Sequence, residues 1–397
     1  MHCDTVSVLL DEKKRGQRAK LRRNRFHVDL TRLKESRYMV QNLALFVNLG
    51  QQEDPWERVL ELYGYYREEL EKNKDIMAPV YRFSDIGEND AAGRLSALLT
   101  VEEGAVCKGE PEKLRKLYEM GVRMLTLTWN FDNELGHPNF DCRLKEEWKR
   151  VSEAWKRQGQ ENPEGERALR EARDVFLHTP NLIGGLTERG REFVEEMETL
   201  GMIPDVSHLS DAGFYDVLET TKKPFVASHS NARAVCPNVR NMTDHMIRSL
   251  SERGGVMGLN FCADFLEEKP PGVKNPGTIE AVVRHAKHIL AVGGVEVLGL
   301  GSDFDGIDTH EELPGAQAMD ALWQGLYKAG FTEGQLDKIF YKNVLRVYQD
   351  TLKKARGPAA PGGGKCSGVC AAESGEGSGG EGMEGNACRR QAVEVRI

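Results

Sequence analysis

The order of apolar and polar residues along the chain predicts short buried strands that alternate with helices. The clearest strands are continuous apolar runs at residues 38–48, 97–101, 122–128, 255–260 and 296–300. The segments between them carry apolar residues at helical spacing, as at 54–74, where Asp54-Pro55 provides an N-cap and a first-turn proline. Strands that are buried on both faces and joined through helices are typical of a parallel sheet.

Two further apolar runs each lead into a histidine. The first is Asp205-Val206-Ser207-His208, the second is Phe225-Val226-Ala227-Ser228-His229-Ser230, and residues 211–222 between them suffice for one helix. A strand–helix–strand unit would bring His208 and His229 to the carboxyl edge of the sheet, where α/β proteins keep their chemistry. Because neutral imidazole is the commonest metal ligand, the pair indicates a metal site. Two histidines with a purely structural role are the alternative.

With a first strand placed at His2, eight strand units alternate with helices. This number predicts an α/β fold, a (β/α)8 barrel over residues 1–356, with a doubly wound open sheet as the alternative. The polar stretch at 130–185 is too long for a plain connection and predicts a loop insertion over the strand ends. Residues 357–397 are rich in Gly, Ser and Glu, which predicts a low-complexity, disordered tail.

Composition narrows the class of function. The chain has 397 residues, 40% apolar residues and a net charge of −8, which suits a large enzyme domain and argues against nucleic-acid binding. It has no apolar run long enough to span a membrane and no signal-peptide pattern, and its eight cysteines follow no disulfide rhythm. These features predict a cytoplasmic protein with reduced thiols and no membrane partner.

Polar residues follow the predicted strands at positions that would meet at the mouth of a barrel: His2, Asp4, Glu102, His208, His229 and Asp303. Histidine and carboxylate ligands suit zinc. The first five of these residues, taken as ligands, are more than one tetrahedral ion with an open position needs. A second ion, with one carboxylate bridging the two ions, would explain the surplus. Asp303 could then handle a proton.

Taken in order, a set of motifs resembles the membrane (renal) dipeptidase family, peptidase family M19, in its bacterial-type branch, over residues 1–350. The matching stretches are His-Cys-Asp-Thr at 2–5, Leu-Leu-Thr-Val-Glu-Glu-Gly at 98–104, Leu-Thr-Leu-Thr at 125–128, Asp-Val-Ser-His at 205–208, Ser-His-Ser-Asn-Ala at 228–232, Arg-Asn at 240–241 and Gly-Ser-Asp-Phe-Asp-Gly at 301–306. The resemblance implies a metal-dependent-hydrolase barrel that cleaves dipeptides, often with a D-residue at the C-terminal position.

The resemblance also implies roles for the strand-end residues. It implies two Zn²⁺ per chain, one held by His2 and Asp4, the other by His208 and His229, with Glu102 bridging. It further implies that Arg240 holds the substrate carboxylate and that Asp303 acts as the acid/base and meets the substrate ammonium group. A homodimer is expected.

Three features depart from the family pattern. Glu103 stands where glycine is usual, and Trp129 stands where the mammalian branch has a histidine that supports the oxyanion, although bacterial-type members share the tryptophan. We expect Trp129 to contact substrate and the oxyanion to depend on zinc or another donor, such as His137. Only Met1 precedes His2, so either the true start lies upstream or the His2 and Asp4 site is poorly anchored.

Two other functions fit the same residues. One is another binuclear-metal amidohydrolase, an amidase or lactamase, which would not need a free substrate carboxylate. The other is a metal-poor inactive homologue, which a short first strand would permit.

Overall fold

A computed structural model describes residues 1–51, 54–158, 162–268 and 277–352. The predicted tail at 357–397 lies outside the described residues. The strands are β1 (His2–Cys3), β2 (Val40–Phe46), β3 (Met77–Pro79), β4 (Leu95–Glu102), β5 (Val122–Thr126), β6 (Ile203–Asp205), β7 (Val226–Ala227), β8 (Val256–Asn260) and β9 (Leu298–Phe304).

The helices follow the strands along the chain. They are α1 (Thr5–Lys14), α2 (Leu30–Glu35), α3 (Pro55–Lys72), α4 (Phe83–Ala91), α5 (Pro111–Met120), α6 (Cys142–Gln158), α7 (Pro163–His178), α8 (Glu188–Leu200), α9 (Asp211–Thr220), α10 (Asp244–Glu252), α11 (Ala263–Leu266), α12 (Ile279–Gly293), α13 (Met319–Lys328), α14 (Glu333–Asp337) and α15 (Asn343–Thr351). In these described ranges, no helix combines the length and the apolar character needed to cross a membrane.

Eight parallel strands form the barrel in the order β1-β9-β8-β7-β6-β5-β4-β2. The predicted (β/α)8 barrel is therefore confirmed, and the open-sheet alternative is wrong. The additional strand β3 pairs with β4 beside β2. The sequence did not predict β3, because no histidine follows it to mark a strand end, as His208 and His229 mark the similarly short β6 and β7.

Strand β1 completes the barrel although it has only two residues. It pairs with β9, and Ser302 Oγ donates to His2 O at 2.7 Å. Asp4 N donates to Phe304 O at 2.9 Å, and on the other side Cys3 Sγ donates to Asn42 O of β2 at 3.3 Å. These bonds hold the backbone of His2 and Asp4 against β9.

The segment between β5 and α8, where the sequence predicted a loop insertion, contains the two helices α6 and α7. Helices α6 and α7 pack through Trp148 and Phe176, whose rings stack 5.6 Å apart. The C-terminal turn of α7 reaches the loop before Arg240, since Val239 N donates to Leu177 O at 2.8 Å. Part of the insertion therefore touches the predicted carboxylate-binding loop.

Helix boundaries follow local chemistry. Asp54 caps α3 by accepting from Trp56 N at 2.9 Å, and the hydroxyls of Ser210, Thr243 and Thr278 cap α9, α10 and α12. Gly201 ends α8 in the left-handed conformation, with φ 84°. These caps fix where each helix starts relative to the strand before it.

The lower end of the barrel offers a test of fold stability that is remote from the strand ends. Tyr348 OH of α15 donates to Asn42 Oδ1 of β2 at 2.7 Å, and both residues are buried. Tyr348→Phe should lower the free energy of unfolding by about 1–2 kcal/mol, because it leaves a buried acceptor unpaired. Urea unfolding measures this. Tyr327→Phe, the same change at an exposed tyrosine, should have an effect within about 0.5 kcal/mol. Equal effects of the two changes would contradict the role of the buried bond.

Candidate active site

The carboxyl ends of the barrel strands bring six of the predicted residues into one buried cluster. Their side chains are nearly inaccessible, and the exposed fractions are His2 2%, Asp4 4%, Glu102 3%, His208 6%, His229 0% and Asp303 7%. Three carboxylates and three imidazoles therefore share one small volume. Such a group is costly to bury unless a cation or protons compensate the negative charge.

Glu102 lies at the centre of the cluster, with its two oxygens facing different partners. Oε2 is 3.2 Å from His2 Nε2, which is itself 3.4 Å from Asp4 Oδ2. Oε1 is 3.2 Å from His208 Nε2 and 3.4 Å from His229 Nε2. One carboxylate thus faces a His2/Asp4 pair with one oxygen and a His208/His229 pair with the other, and the His2 and His229 rings lie 4.2 Å apart.

The donor atoms fit a divalent metal. Two groups, His2–Glu102–His229 and His2–Asp4–Asp303, place their ligand atoms within 4.8 Å of one another. His2 Nε2 and Asp4 Oδ1 are buried without a hydrogen-bond partner among the described residues. The Nε2 atoms of His208 and His229 face each other at 3.1 Å. Lone pairs that converge in this way suit a cation of the kind that histidine and carboxylate bind.

Electrostatics differ between the two sides of Glu102. Burial disfavours charge on His2, but Glu102 and Asp4 outweigh it and raise the pKa of that imidazole. Burial raises the pKa of Asp4 to about 7. Burial, aided by the Arg240 guanidinium, lowers the pKa of His208 to about 3. Burial alone would raise the pKa of Glu102, but the nearby His2 imidazole outweighs it and holds the pKa well below its usual range.

Asp303 lies at the mouth of the cluster on a strained part of β9. Asp303 has φ 69° and Ser302 has φ 62°, a backbone region that non-glycine residues seldom adopt. Asp303 Oδ1 is 3.9 Å from His2 Nε2, and Oδ2 accepts from Asn260 Nδ2 at 2.9 Å. Asn260 therefore fixes the direction of this carboxylate.

Gly306 makes room for the acidic side of the cluster. A Cβ at this position would lie 2.2 Å from Asp4 Oδ2 and 2.9 Å from Asp303 Oδ1. Only glycine fits between the two carboxylates without moving them.

Arg240 is buried beside the two histidines. Nη1 donates to Ser207 O at 3.1 Å and Nη2 to His229 O at 3.3 Å, while Nε is buried with no partner among the described residues. The guanidinium also lies over the Phe265 ring, 5.2 Å from its centroid. Its fork is thus anchored to the backbone that carries the histidines, with N–H donors to spare.

Trp129 forms part of the wall next to His208. Its ring lies 6.1 Å from the His208 ring and packs edge-on against Phe46 at 4.9 Å. The buried Glu103 carboxylate accepts from Trp129 N at 3.2 Å and from Asn133 Nδ2 at 2.6 Å. Glu103 therefore faces away from the cluster and holds the Trp129 loop, with φ 108° where a glycine would be unstrained.

His137 does not join the cluster. Its ring is 41% exposed, and Nδ1 lies 2.7 Å from Asp132 Oδ1. The structure thus gives no contact to support His137 as an oxyanion donor.

Sequence reasoning missed four residues that support the cluster: Asn130, Asp205, Ser228 and Asn260. Asn130 Oδ1 lies 3.1 Å from His208 Nδ1, and Ser228 Oγ lies 2.8 Å from His229 Nδ1. Asn260 was available as a signal, because it is the polar last residue of a predicted strand. Asp205 and Ser228 belong to the quoted motifs, but their supporting contacts, like that of Asn130, are recognisable only once the strands are placed side by side.

Fold and cluster together define a class: an α/β-barrel hydrolase with a histidine–carboxylate centre at the strand ends. Residues 1–162 and 160–360 match the family model described as membrane dipeptidase, peptidase family M19. The chain belongs to this family of hydrolases, which confirms the resemblance seen in its motifs.

Individual relatives agree with the family match. The chain is 30% identical over 261 residues to an uncharacterized protein in the pqqA 5' region of Klebsiella pneumoniae, covering 66% of this chain and 83% of that one. It is 29% identical over 301 residues to the dipeptidase tcpJ of Claviceps purpurea, covering 76% of this chain and 59% of that protein.

Among solved structures, a metallo peptidase from Rhodobacter sphaeroides, liganded with a phosphinate mimic of the dipeptide L-Ala-D-Ala, shares the fold. It aligns with a TM-score of 0.72 at 24% identity, covering 88% of this chain and 98% of that chain.

The pKa asymmetry predicts how metal binding depends on pH. The proton on His2, whose pKa is raised, and the proton on Asp4, whose pKa is about 7, must leave before these residues can ligate. Affinity at that position should therefore fall below pH 7, by about tenfold per pH unit for each proton displaced. Calorimetry in buffers of different ionisation enthalpy measures the proton release. The position that contains His208, whose pKa is about 3, should depend less on pH. Equal dependence at both positions would contradict this electrostatic picture.

Proposed function

We propose that the protein is a zinc-dependent dipeptidase that hydrolyses the peptide bond of free dipeptides. The observation that carries this proposal is the placement of Glu102, with one oxygen toward His2 and the other toward His208 and His229. A carboxylate shared by two ligand sets is what a paired-metal site requires. Family membership supports the same reaction class.

His2 and Asp4 would hold one zinc ion, His208 and His229 the second, and Glu102 would bridge them. When bound, the ions supply a water of lowered pKa and polarise the scissile carbonyl. The burial and the orphaned atoms of the ligands support this assignment.

The two ends of a dipeptide call for opposite charges, and the site offers both. Arg240 carries spare N–H donors on an anchored fork, which suits a substrate carboxylate. Asp303, the least buried of the six residues, suits the substrate ammonium group. Trp129 and Phe46 form an apolar wall beside the histidines that would contact substrate and exclude water.

Asp303 is the residue placed to move a proton. Its Oδ2 is held by Asn260, which leaves Oδ1 directed toward the cluster. We assign Oδ1 to accept a proton from the attacking water and to deliver it to the leaving amine. The D-residue tolerance implied by the family resemblance is part of the proposal, and the Rhodobacter sphaeroides metallo peptidase is liganded with a mimic of the dipeptide L-Ala-D-Ala.

Replacing the proton-handling residue tests this role. Asp303→Asn should lower kcat by about 10²–10⁴-fold, because the amide cannot accept the proton. Steady-state hydrolysis of L-Ala-D-Ala and L-Ala-L-Ala by zinc-reconstituted protein measures the effect, with zinc content measured on the same samples. Wild-type kcat in a variant that retains its zinc would refute the assignment.

Arg240 distinguishes a dipeptidase from a general amidase. Arg240→Ala should raise KM for free dipeptides by about 10- to 100-fold, because a charge-assisted contact to the carboxylate is lost. The matched control is the same dipeptide with its C-terminus amidated, which the variant should cleave as well as the wild type does.

Efficient cleavage of that amide or of an N-acetylated dipeptide by the wild type would favour the amidase alternative. Zinc content well below one ion per chain after reconstitution would favour the inactive homologue.

A further inference from the structure

We infer that Asp205 and Ser228 are positioning residues that set which ring nitrogen of His229 carries the proton, and thereby tune metal affinity on that side of the site. The inference rests on the proposed zinc-dependent function. It concerns residues beneath the ligands rather than the ligands themselves.

Asp205 is buried at the end of β6 and ties three neighbouring strands together. Its Oδ2 accepts from Ser228 Oγ at 2.5 Å and from Thr126 Oγ1 of β5 at 2.8 Å. Its Oδ1 accepts from Ser228 N at 2.9 Å, from Ser207 N at 3.1 Å and from Ser207 Oγ at 2.8 Å. With five donors directed at it, this side chain is held as an acceptor.

The direction of the next bond follows from counting hydrogens. A serine hydroxyl has one hydrogen, and an ionised carboxylate can only accept, so Ser228 donates to Asp205. Ser228 Oγ, 2.8 Å from His229 Nδ1, must then accept from that nitrogen. Nδ1 of His229 therefore carries the proton, and Nε2 presents a lone pair toward Glu102 and His208. This is the tautomer that a metal needs.

His208 is oriented by weaker means. Its Nδ1 meets the amide oxygen of Asn130 at 3.1 Å, and an amide can offer a donor instead if it turns. A carboxylate cannot reverse its role in that way. The tautomer is thus set by charge at His229 and by a neutral group at His208.

The hydrogen bonds that run from His229 Nδ1 to Ser228 Oγ and from Ser228 Oγ to Asp205 Oδ2 form a relay. The isosteric variant Asp205→Asn should reverse the direction of both bonds in this relay. The oxygen of the new amide can keep the three bonds at Oδ1, while its NH₂ group would donate to Ser228 and Thr126. The hydroxyl hydrogen of Ser228 would then turn to His229 Nδ1 and shift the proton to Nε2. We expect zinc affinity at one of the two positions to fall by about 10- to 100-fold, the range typical of partners behind a ligand.

Imidazole ¹⁵N NMR of the metal-free protein at alkaline pH reads the tautomer directly, and competition with a chromophoric chelator reads zinc affinity. The wild type should show His229 protonated at Nδ1, and Asp205→Asn should show it protonated at Nε2. Thr126→Val is the matched control, since it removes a donor to the same oxygen without touching the relay, and it should keep the wild-type tautomer and zinc affinity. An unchanged His229 tautomer in Asp205→Asn overturns the inference.

If Asp205→Asn fails to fold, Ser228→Ala carries the test. Loss of the hydroxyl should leave a mixture of both His229 tautomers, and a pure Nδ1-protonated form would overturn the inference. Neither the tautomer nor the zinc affinity depends on turnover. Failure of the proposed dipeptidase activity would therefore appear separately, as a wild-type protein in which His229 is protonated at Nδ1 but which cleaves no dipeptide.

Discussion

The constraint on which this site depends is the burial of three carboxylates and three imidazoles in one small volume, where their charges and lone pairs must be compensated. Glu102, Asp4 and Asp303 converge with three imidazoles whose Nε2 atoms point inward. Each buried and uncompensated ion costs several kcal/mol, so the cluster needs a cation or protons to compensate its negative charge. The barrel supplies the rigid frame that prevents the side chains from relaxing apart.

That frame concentrates strain and close packing where β9 meets β1. Ser302, Asp303 and Asp305 all have positive φ, and Gly306 leaves no space for a side chain between two carboxylates. The strain is offset by bonds from outside the cluster, since Asp305 accepts from Thr5 Oγ1 at 2.5 Å and from His27 N at 2.6 Å. The two-residue strand β1 is thus secured by the end of β9.

The barrel strands and the ligand cluster could be predicted because both leave periodic traces: apolar runs of strand length, each followed by a polar residue. Strand β3 and helix α6 left no such trace, because no histidine marks the end of the short strand β3 and because α6 lies in a strongly polar segment. Asp205 and Ser228 were visible in the motifs, but their function depends on hydrogen-bond direction between neighbouring strands, which spacing does not encode. Glu103 shows the same limit, because only the backbone reveals that it faces the Trp129 loop and not the cluster.

The supporting residues divide the site by chemistry. On one side, Asn260 holds Asp303 with a neutral amide, which leaves that carboxylate free to gain and lose a proton. On the other side, Asp205 acts on His229 through Ser228, which favours a fixed tautomer. Burial alone would raise the pKa of Asp205, but His229 and the bonds from Ser228 and Thr126 lower it, so the carboxylate keeps its charge. Asp303, the proposed proton-transfer group, is thus held by a neutral residue, which suits a group whose protonation must change. His229, a proposed ligand, is held through Ser228 by a charged residue, which suits a group whose protonation must stay fixed.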